Sequence, residues 1–231
     1  VIIEEFNVYE DSPDEKVADN FARLVLGDNP LGWRTLGTKK TVKNMNREDF
    51  LDYKKRFDVP GNMVLVIAGG IKQKEKTFDL VEKQFSKYEP GILDKKTINT
   101  ENGQKKVKIE HRETEQTHLI VGLPVFGWTD DRRWPLVFLS RILGGGMSSR
   151  LFQEIREKRG LAYYVHSWMF LVKEAGLFGA SAGVRNDQAQ TAIDLIQEEL
   201  ANFSQTVTKQ EFDDAQTGII GKYLLSLEKS Q

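Results

Sequence analysis

The amino-acid sequence predicts an α+β fold made of two units. Short β-rich runs alternate with long amphipathic stretches, but not in the strict strand–helix–strand order of a parallel α/β sheet. The apolar periodicity is lost from Glu89 to Lys106, where Pro90, Gly91, Gly103 and several lysines replace it, so this stretch predicts a linker. Apolar residues make up 39% of the 231 residues, which suits one large domain or two of ordinary size.

The unit before the linker has clear helix signals. Ser12 is suited to cap a helix, Pro13 to occupy its first position, and Glu15 lies three residues after the cap. Gly27 marks the end of this helix. The other predicted elements of the unit are a helix capped by Asn46, a helix at residues 74–88, and a buried strand at residues 62–68, where NMVLVIA is bounded by glycines.

The unit after the linker combines predicted strands with predicted helices. The strands are expected at residues 106–111, 117–125, 162–172 and 176–184, and the helices at residues 131–143, 149–157 and 187–203. Thr208 and Glu211 form a capping box before a last helix. The residues predicted to face inward on that helix are Phe212, Ala215, Ile219, Tyr223 and Leu227.

Charge and composition exclude several function classes. The net charge is −1 and both signs are interspersed, which argues against nucleic-acid and membrane-surface partners. No apolar run approaches the ~18 residues of a membrane span. The chain has no cysteine, so disulfides and thiolate metal sites are excluded and a reducing cytosol fits.

The residue types that bind metals form no recognisable motif. The three histidines, His111, His118 and His166, lack the i, i+4 spacing that places two imidazoles on one helix face, and each is interpreted as an ordinary strand residue. Glu4, Glu5, Glu10 and Asp11 form an acidic cluster that composition alone assigns to a solvated face.

The stretch GGGMSSRLFQEIREKRGLAYYV, residues 144–165, leaves two interpretations open. A phosphate loop would follow a strand and carry a lysine after its glycines, whereas here a helix precedes them and no lysine is in place, so a helix-to-helix turn is the simpler interpretation. Arg150, Glu154 and Glu157 are expected to be solvated. Arg156 and Tyr163 have the donors to bind a peptide carbonyl, although from chemistry alone a salt bridge and a half-buried tyrosine are simpler.

Four stretches, in order, resemble one enzyme family. They are VIIEEFNVYEDSPDEKV, DNPLGWRTLGTKKTVKNMNREDFLDYKKRF, NMVLVIAGGI and GGGMSSRLFQEIREKRGLAYYV, and together they span nearly the whole chain. Their sequence is similar to that of pitrilysin-type (insulinase-type) zinc peptidases, in the branch of bacterial relatives of the mitochondrial processing peptidase. The resemblance implies two homologous α/β sandwich domains, with residues 1–89 as the C-terminal half of the first, 90–105 as the linker, and 106–231 as a truncated second domain.

The resemblance also implies roles for particular residues. Members of this family carry an inverted zinc motif, HxxEH, whose glutamate is the general base. A further glutamate, which corresponds to Glu5, completes the zinc ligands and implies a helix over residues 1–10, although the β-branched residues there favour a strand. In the second domain Arg156 and Tyr163, seven residues apart, correspond to the substrate-holding pair, and Gly144, Gly145 and Gly146 are expected to shape the wall of the substrate chamber.

The chain departs from the family because it contains no HxxEH. One carboxylate cannot hold a catalytic zinc, so the chain is expected to be an inactive, metal-free fragment of a longer zinc endopeptidase. The full-length protein is expected to bind zinc, to hold extended peptides at a sheet edge, to form a homo- or hetero-dimer with a family subunit, and to reside in a bacterial cytoplasm. The alternative is a non-catalytic homologue that serves as a structural or regulatory subunit.

Overall fold

The computed structural model describes residues 2–91 and 107–228. The chain divides into two compact units, one made of Val1–Thr35 with Ile98–Gln231 and the other of Leu36–Thr97. The first is called the sheet unit and the second the helical unit below. The elements of the sheet unit are α1 (Ile2–Glu10), α2 (Pro13–Leu26), β1 (Gln116–Val125), α6 (Arg133–Gly144), a π-helix (Phe152–Glu157), β2 (Ala162–Leu171), β3 (Gly176–Arg185), α7 (Ala189–Thr206) and α8 (Lys209–Leu227); those of the helical unit are α3 (Lys39–Asn44), α4 (Arg47–Phe57) and α5 (Lys74–Phe85).

The two N-terminal helices begin and end much as the sequence predicts. Helix α1 forms in spite of its β-branched residues, which confirms the helix implied by the resemblance, and it buries Phe6. Ser12 precedes α2, but its hydroxyl donates to the Asp14 carboxylate at 2.5 Å instead of capping the backbone. The prediction that the Ser12 side chain caps α2 is therefore wrong, whereas the predicted end at Gly27 is confirmed by its φ of 68°.

The sheet unit is built on three antiparallel strands in the order β1-β3-β2. Strand β3 lies between the other two strands and is buried from Gly176 to Val184. Its side chains there are small or apolar, which permits this burial. One face of the sheet packs against α6, α7 and the π-helix around Phe178, Leu143 and Ile196. The other face is covered by α2, whose Phe21 meets Trp168 of β2 edge to face at 5.7 Å.

One prediction is wrong in the helical unit, that of a buried strand at residues 62–68. Helix α4 begins at the predicted cap, where Asn46 and Asp49 exchange side-chain to backbone hydrogen bonds. Residues 63–68, however, form no strand, because no neighbouring strand pairs with them in the described part of the chain. The side chains of Val64 and Val66 are 91% and 79% exposed. The run is apolar as predicted, but the predicted burial is wrong.

Two further predictions are corrected in the sheet unit, and a third is not tested. Residues 107–111 form no strand, and Val107 and Ile109 are exposed. On α8 only Ala215 of the five residues predicted to face inward is buried, while Tyr223 and Leu227 are exposed. The predicted linker falls mainly on residues 92–106, which lie outside the described residues.

Candidate functional site

Arg156 lies on a π-helix, where the sequence predicts an ordinary helix. The Lys158 amide donates to the Gln153 carbonyl oxygen at 2.9 Å, a bond that spans five residues and widens the turn. Such turns occur often at functional sites. Ile155 is buried in the core, while Arg156 is exposed with its guanidinium carbon 5.0 Å from the centre of the Phe152 ring.

No carboxylate pairs with Arg156 among the described residues. Its acidic neighbour Glu154 pairs with Lys158 and Arg159, at 2.9 Å and 2.8 Å. Those hydrogen bonds, first that of Lys158, lower the pKa of Glu154. The salt bridge that the simpler interpretation assigns to Arg156 is therefore absent from the described part, and its fork of donors faces solvent.

Tyr163 lies at a β-bulge at the start of β2. Ala162 pairs with Val184 and Tyr164 with Gly183, so Tyr163 has no partner on β3. The extra residue lets Ala162 and Val165 both face the core, and it leaves Tyr163 55% exposed instead of directed inward. Bulges commonly re-aim a side chain in this way beside active sites.

The glycine loop is required for close packing. A Cβ at Gly144 would lie 2.2 Å from the Ser167 amide nitrogen, and one at Gly145 would lie 2.7 Å from Cα of Arg141. The loop thus lets the end of α6 contact β2, where the Ser167 hydroxyl donates to the Ser140 carbonyl oxygen at 2.6 Å. The Arg141 guanidinium donates to the Gly145 carbonyl oxygen and packs beside Gly146.

Glu5 lies on the exposed part of α1, next to the buried Phe6. Among the described residues there is no group of three or more His, Cys, Asp or Glu side chains that could hold a metal ion. The donor set present in this part of the chain therefore does not fit a complete zinc site, and Glu5 supplies at most one ligand. No hydrogen bond or ion pair within the described ranges joins Glu5, Arg156 and Tyr163 to one another.

A polar cluster on the sheet has no counterpart in the sequence analysis. His118 of β1 and Tyr164 of β2 flank β3, and the His118 Nδ1 and Tyr164 hydroxyl oxygen are 2.9 Å apart. Burial raises the pKa of Tyr164, and burial lowers the pKa of His166 two residues further along β2. Only strand pairing brings these side chains together, so the sequence spacing carries no signal for the cluster.

Arg150 is not solvated as predicted. Its guanidinium donates to both carboxylate oxygens of Glu211, at 2.6 and 2.8 Å, and to the Thr206 carbonyl oxygen at 3.0 Å. It also stacks on Phe203 of α7, 5.1 Å from the ring centre. The hydrogen bond from Arg150 is the main cause that lowers the pKa of Glu211 to about 2. This network joins the N-terminal side of the π-helix to α7 and α8.

Glu10 is not a solvated carboxylate either. Lys16, Arg34 and Arg112 surround it, and the first two contact its carboxylate directly. The hydrogen bond from Lys16 is the main cause that lowers the pKa of Glu10 to about 2, with a further contribution from Arg34. No local spacing in the sequence indicates this cluster, because its cations lie 6, 24 and 102 residues along the chain from Glu10.

None of the helices that the structure describes combines the length and the hydrophobicity needed to cross a lipid bilayer.

Comparison with known proteins gives consistent matches at the level of sequence. A family model described as the peptidase M16 inactive domain matches residues 44–219. Over 98% of its length the chain is 36% identical to an uncharacterized zinc protease of Streptomyces coelicolor, and over its full length it is 34% identical to the uncharacterized zinc protease YmxG of Bacillus subtilis. The chain spans about half of these relatives, 51% and 56% of their lengths.

Solved structures show the same fold at low sequence identity. A peptidase M16 inactive domain from Pseudomonas fluorescens superimposes with a TM-score of 0.83 at 22% identity, covering 95% of this chain and 54% of that one. A chain of complex III2 from Candida albicans superimposes with a TM-score of 0.80 at 15% identity, covering 98% of this chain and 56% of that one. The α+β fold with a three-stranded antiparallel sheet and flanking helices is thus shared with these proteins.

Proposed function

The chain belongs to the peptidase M16 family, and from that premise we propose that it is part of a zinc-dependent endopeptidase that hydrolyses extended or unfolded peptides. Its relatives are named zinc proteases, and the chain itself matches the inactive domain of the family. Within the full-length protein we assign this chain the role of holding the peptide rather than of activating water.

The proposal rests mainly on one observation, that Arg156 is exposed and pairs with no carboxylate in the described residues. Its guanidinium is exposed on a π-helix and has no carboxylate partner in the described residues, and Tyr163 is turned outward by a bulge seven residues later. Two hydrogen-bond donors are thus open to solvent, each at a local irregularity of the backbone. Donors of this kind suit the carbonyl oxygens of an extended peptide.

Glu5 is proposed as one zinc ligand of the full-length protein. Its carboxylate is exposed and remains available to a site completed by an HxxEH segment that the 231 residues do not contain. The glycine loop, Gly144–Gly146, is proposed as part of the same chamber in addition to its packing role. No catalytic step is assigned to the present residues.

The domain organisation is likewise proposed from the family. Residues 1–89 would be the C-terminal half of a first domain, 90–105 the linker and 106–231 most of a second domain of the same type. Exposed apolar side chains at Val64 and Val66 support this division, because a segment of the first domain outside this chain would cover them. The compact units divide the chain differently, since residues 1–35 pack with the sheet.

We also propose that the full-length protein forms a dimer with a family subunit and resides in a bacterial cytoplasm. The fold match to a chain of complex III2 supports a protein that works in an assembly, and the bacterial relatives and the absence of cysteine support the compartment.

Substitutions in the full-length protein test the function. We expect Arg156→Ala and Tyr163→Phe each to lower kcat/KM for an unstructured peptide by about tenfold or more while the zinc content is unchanged, because one substrate-holding donor is lost. Glu5→Gln is expected to lower the zinc content, and a chelator to abolish activity. Arg159→Ala, which removes an exposed arginine that already pairs with Glu154, is the matched control. Full activity in both Arg156→Ala and Tyr163→Phe would contradict the assignment.

A non-catalytic subunit is the second candidate, favoured by the match to an inactive domain. It predicts that the full-length protein has no HxxEH and binds no zinc, which metal analysis of the purified protein decides.

A further inference from the structure

The Arg156 guanidinium lies on an aromatic ring. Its central carbon is 5.0 Å from the centre of the ring of Phe152, four residues earlier on the same π-helix. A cation over the face of an aromatic ring is attracted by the quadrupole of the ring. The contact therefore restrains the charged end of a side chain that is otherwise exposed to solvent.

The Phe152 ring is itself held by the core of the sheet unit. It is half-buried and packs against the core cluster that includes Leu143 and Ile196. Leu151, directly before it, and Ile155, three residues after it, are fully buried. The surface on which the Arg156 guanidinium lies is thus part of the packed core.

Both ends of the π-helix are attached to their surroundings. Before it, the Arg150 guanidinium donates to both carboxylate oxygens of Glu211 on α8. After it, the Gly160 amide donates to the Arg156 carbonyl oxygen at 3.1 Å, and Gly160 has the φ of 62° that suits glycine at the end of a helix. The main chain and the side chain of Arg156 are thus both restrained.

An aromatic ring differs from a carboxylate in what it leaves free. A carboxylate holds a guanidinium by accepting hydrogen bonds from its N–H groups, and those N–H groups are then lost to a peptide. A ring face attracts the positive charge without a carboxylate's lone pairs. The Arg156 side chain is therefore restrained while its fork of donors stays available for the carbonyl oxygens of a peptide.

We propose that Phe152 is a positioning residue that holds the Arg156 guanidinium ready for the peptide without occupying its donors. The inference rests on the proposed function, which assigns peptide binding to Arg156. A long side chain that is already restrained loses less conformational entropy when the peptide binds. Phe152 thus contributes to peptide binding through Arg156.

Nuclear magnetic resonance of the 231-residue chain tests the contact. Protons near the face of an aromatic ring resonate upfield, so we expect an upfield shift of the Arg156 δ protons that Phe152→Leu removes and Phe152→Tyr retains. Phe170→Leu on β2 is the matched control, because the Phe170 ring is 48% exposed and its loss should leave the Arg156 signals in place. Unchanged Arg156 signals in Phe152→Leu would overturn the proposal.

Kinetics of the full-length protein test the consequence. We expect Phe152→Leu to lower kcat/KM for an unstructured peptide about two- to fivefold, mainly through KM, because that factor corresponds to an exposed cation–π contact. The loss should be smaller than that of Arg156→Ala, since the donors themselves remain. Phe152→Tyr, which keeps the ring, and Phe170→Leu should both retain the parental kcat/KM.

A double variant separates positioning from a merely structural role. If Phe152 acts through Arg156, Phe152→Leu should lower kcat/KM no further in a protein that already carries Arg156→Ala, because the two residues are coupled. A structural role would lower kcat/KM by the same factor in either background, and that result would contradict the proposal.

The outcomes also separate this proposal from the proposed function. If the upfield shift disappears in Phe152→Leu but kcat/KM is unchanged, while Arg156→Ala lowers it, the positioning role is wrong and the proposed function stands. If Arg156→Ala and Tyr163→Phe both retain full activity, the proposed function itself is wrong.

Discussion

Single glycine residues decide how closely α6 approaches the sheet. At Gly144 a side chain would collide with the main chain of Ser167, a neighbour that cannot move without disturbing β2. A run of three glycines is compatible with a flexible turn, a phosphate loop or a close contact, so the sequence alone leaves its reason open. The contact with β2 explains Gly144 without a ligand, because the space that a methyl group needs is filled by backbone.

We expect Gly144→Ala to lower the free energy of unfolding by about 1–3 kcal/mol, because overpacking displaces backbone. Urea denaturation followed by circular dichroism measures the change. Gly221→Ala on α8 is the matched control, since nothing lies within 4 Å of the new methyl group. That variant should gain about 0.5–1 kcal/mol from helix propensity. A Gly144→Ala protein as stable as the parent would show that the contact with Ser167 is misjudged.

Ion pairs between distant residues also lie beyond prediction from sequence. Arg150 and Glu211 are 61 residues apart, and only the packing of α8 against the start of the π-helix brings them together. The sequence identified Glu211 correctly as the second member of the capping box of α8, after the cap Thr208, and its carboxylate does accept from the Thr208 amide at 2.9 Å. The role of Glu211 in the capping box could be predicted from the sequence because it depends on a spacing of only three residues.

Helices and strands differ in how far their own sequence determines them. Helix α4 begins at the capping box of Asn46 and Asp49, a signal that is local in the sequence. The run at residues 62–68 has the composition of a buried strand, yet a strand exists only when another strand supplies hydrogen-bond partners. No such partner is present in the described part of the chain, so the segment has no strand pairing and its apolar side chains are exposed.

We expect Val64→Lys to change the stability of this 231-residue chain by less than about 0.5 kcal/mol, because the side chain is already in solvent. Val165→Lys, which buries a charge in the core of the sheet unit, should cost more than about 3 kcal/mol. In the full-length protein Val64→Lys should become strongly destabilising, since the proposed first domain would cover it. Equal tolerance in both proteins, measured by thermal denaturation, would count against the proposed domain division.

The whole molecule divides in a way that chain order does not suggest. Residues 1–35 precede the helical unit but pack with the sheet that follows it. Helix α2 covers the sheet face that α6 and α7 leave open, and Phe21 fits above Gly122, where a Cβ would lie 2.7 Å from its ring. The composition of residues 90–105 predicts a linker, but it cannot show that residues 1–35 pack with the sheet. Composition describes neighbours along the chain and not neighbours in space.

We expect Phe21→Ala to lower the free energy of unfolding of the sheet unit by about 3–4 kcal/mol, because a buried ring is replaced by a cavity. Hydrogen exchange of the β1 and β3 amides reports that unit separately from the helical one. Phe50→Ala in α4 is the matched control, since Phe50 is 62% exposed and lies in the other unit. Sheet amides that exchange at the parental rate in Phe21→Ala would contradict a shared cooperative unit.

The sequence by itself determined the family, the α+β class, most helix boundaries and the three paired strands, because each of these depends on residues close together in the chain or on a motif read directly. Tertiary structure alone decided which charges pair, that Arg156 lacks a carboxylate partner in the described residues, that a bulge turns Tyr163 outward, and that α1 and α2 belong with the sheet. These features arise from contacts between residues far apart in sequence, whose free energy depends on geometry that no local spacing encodes.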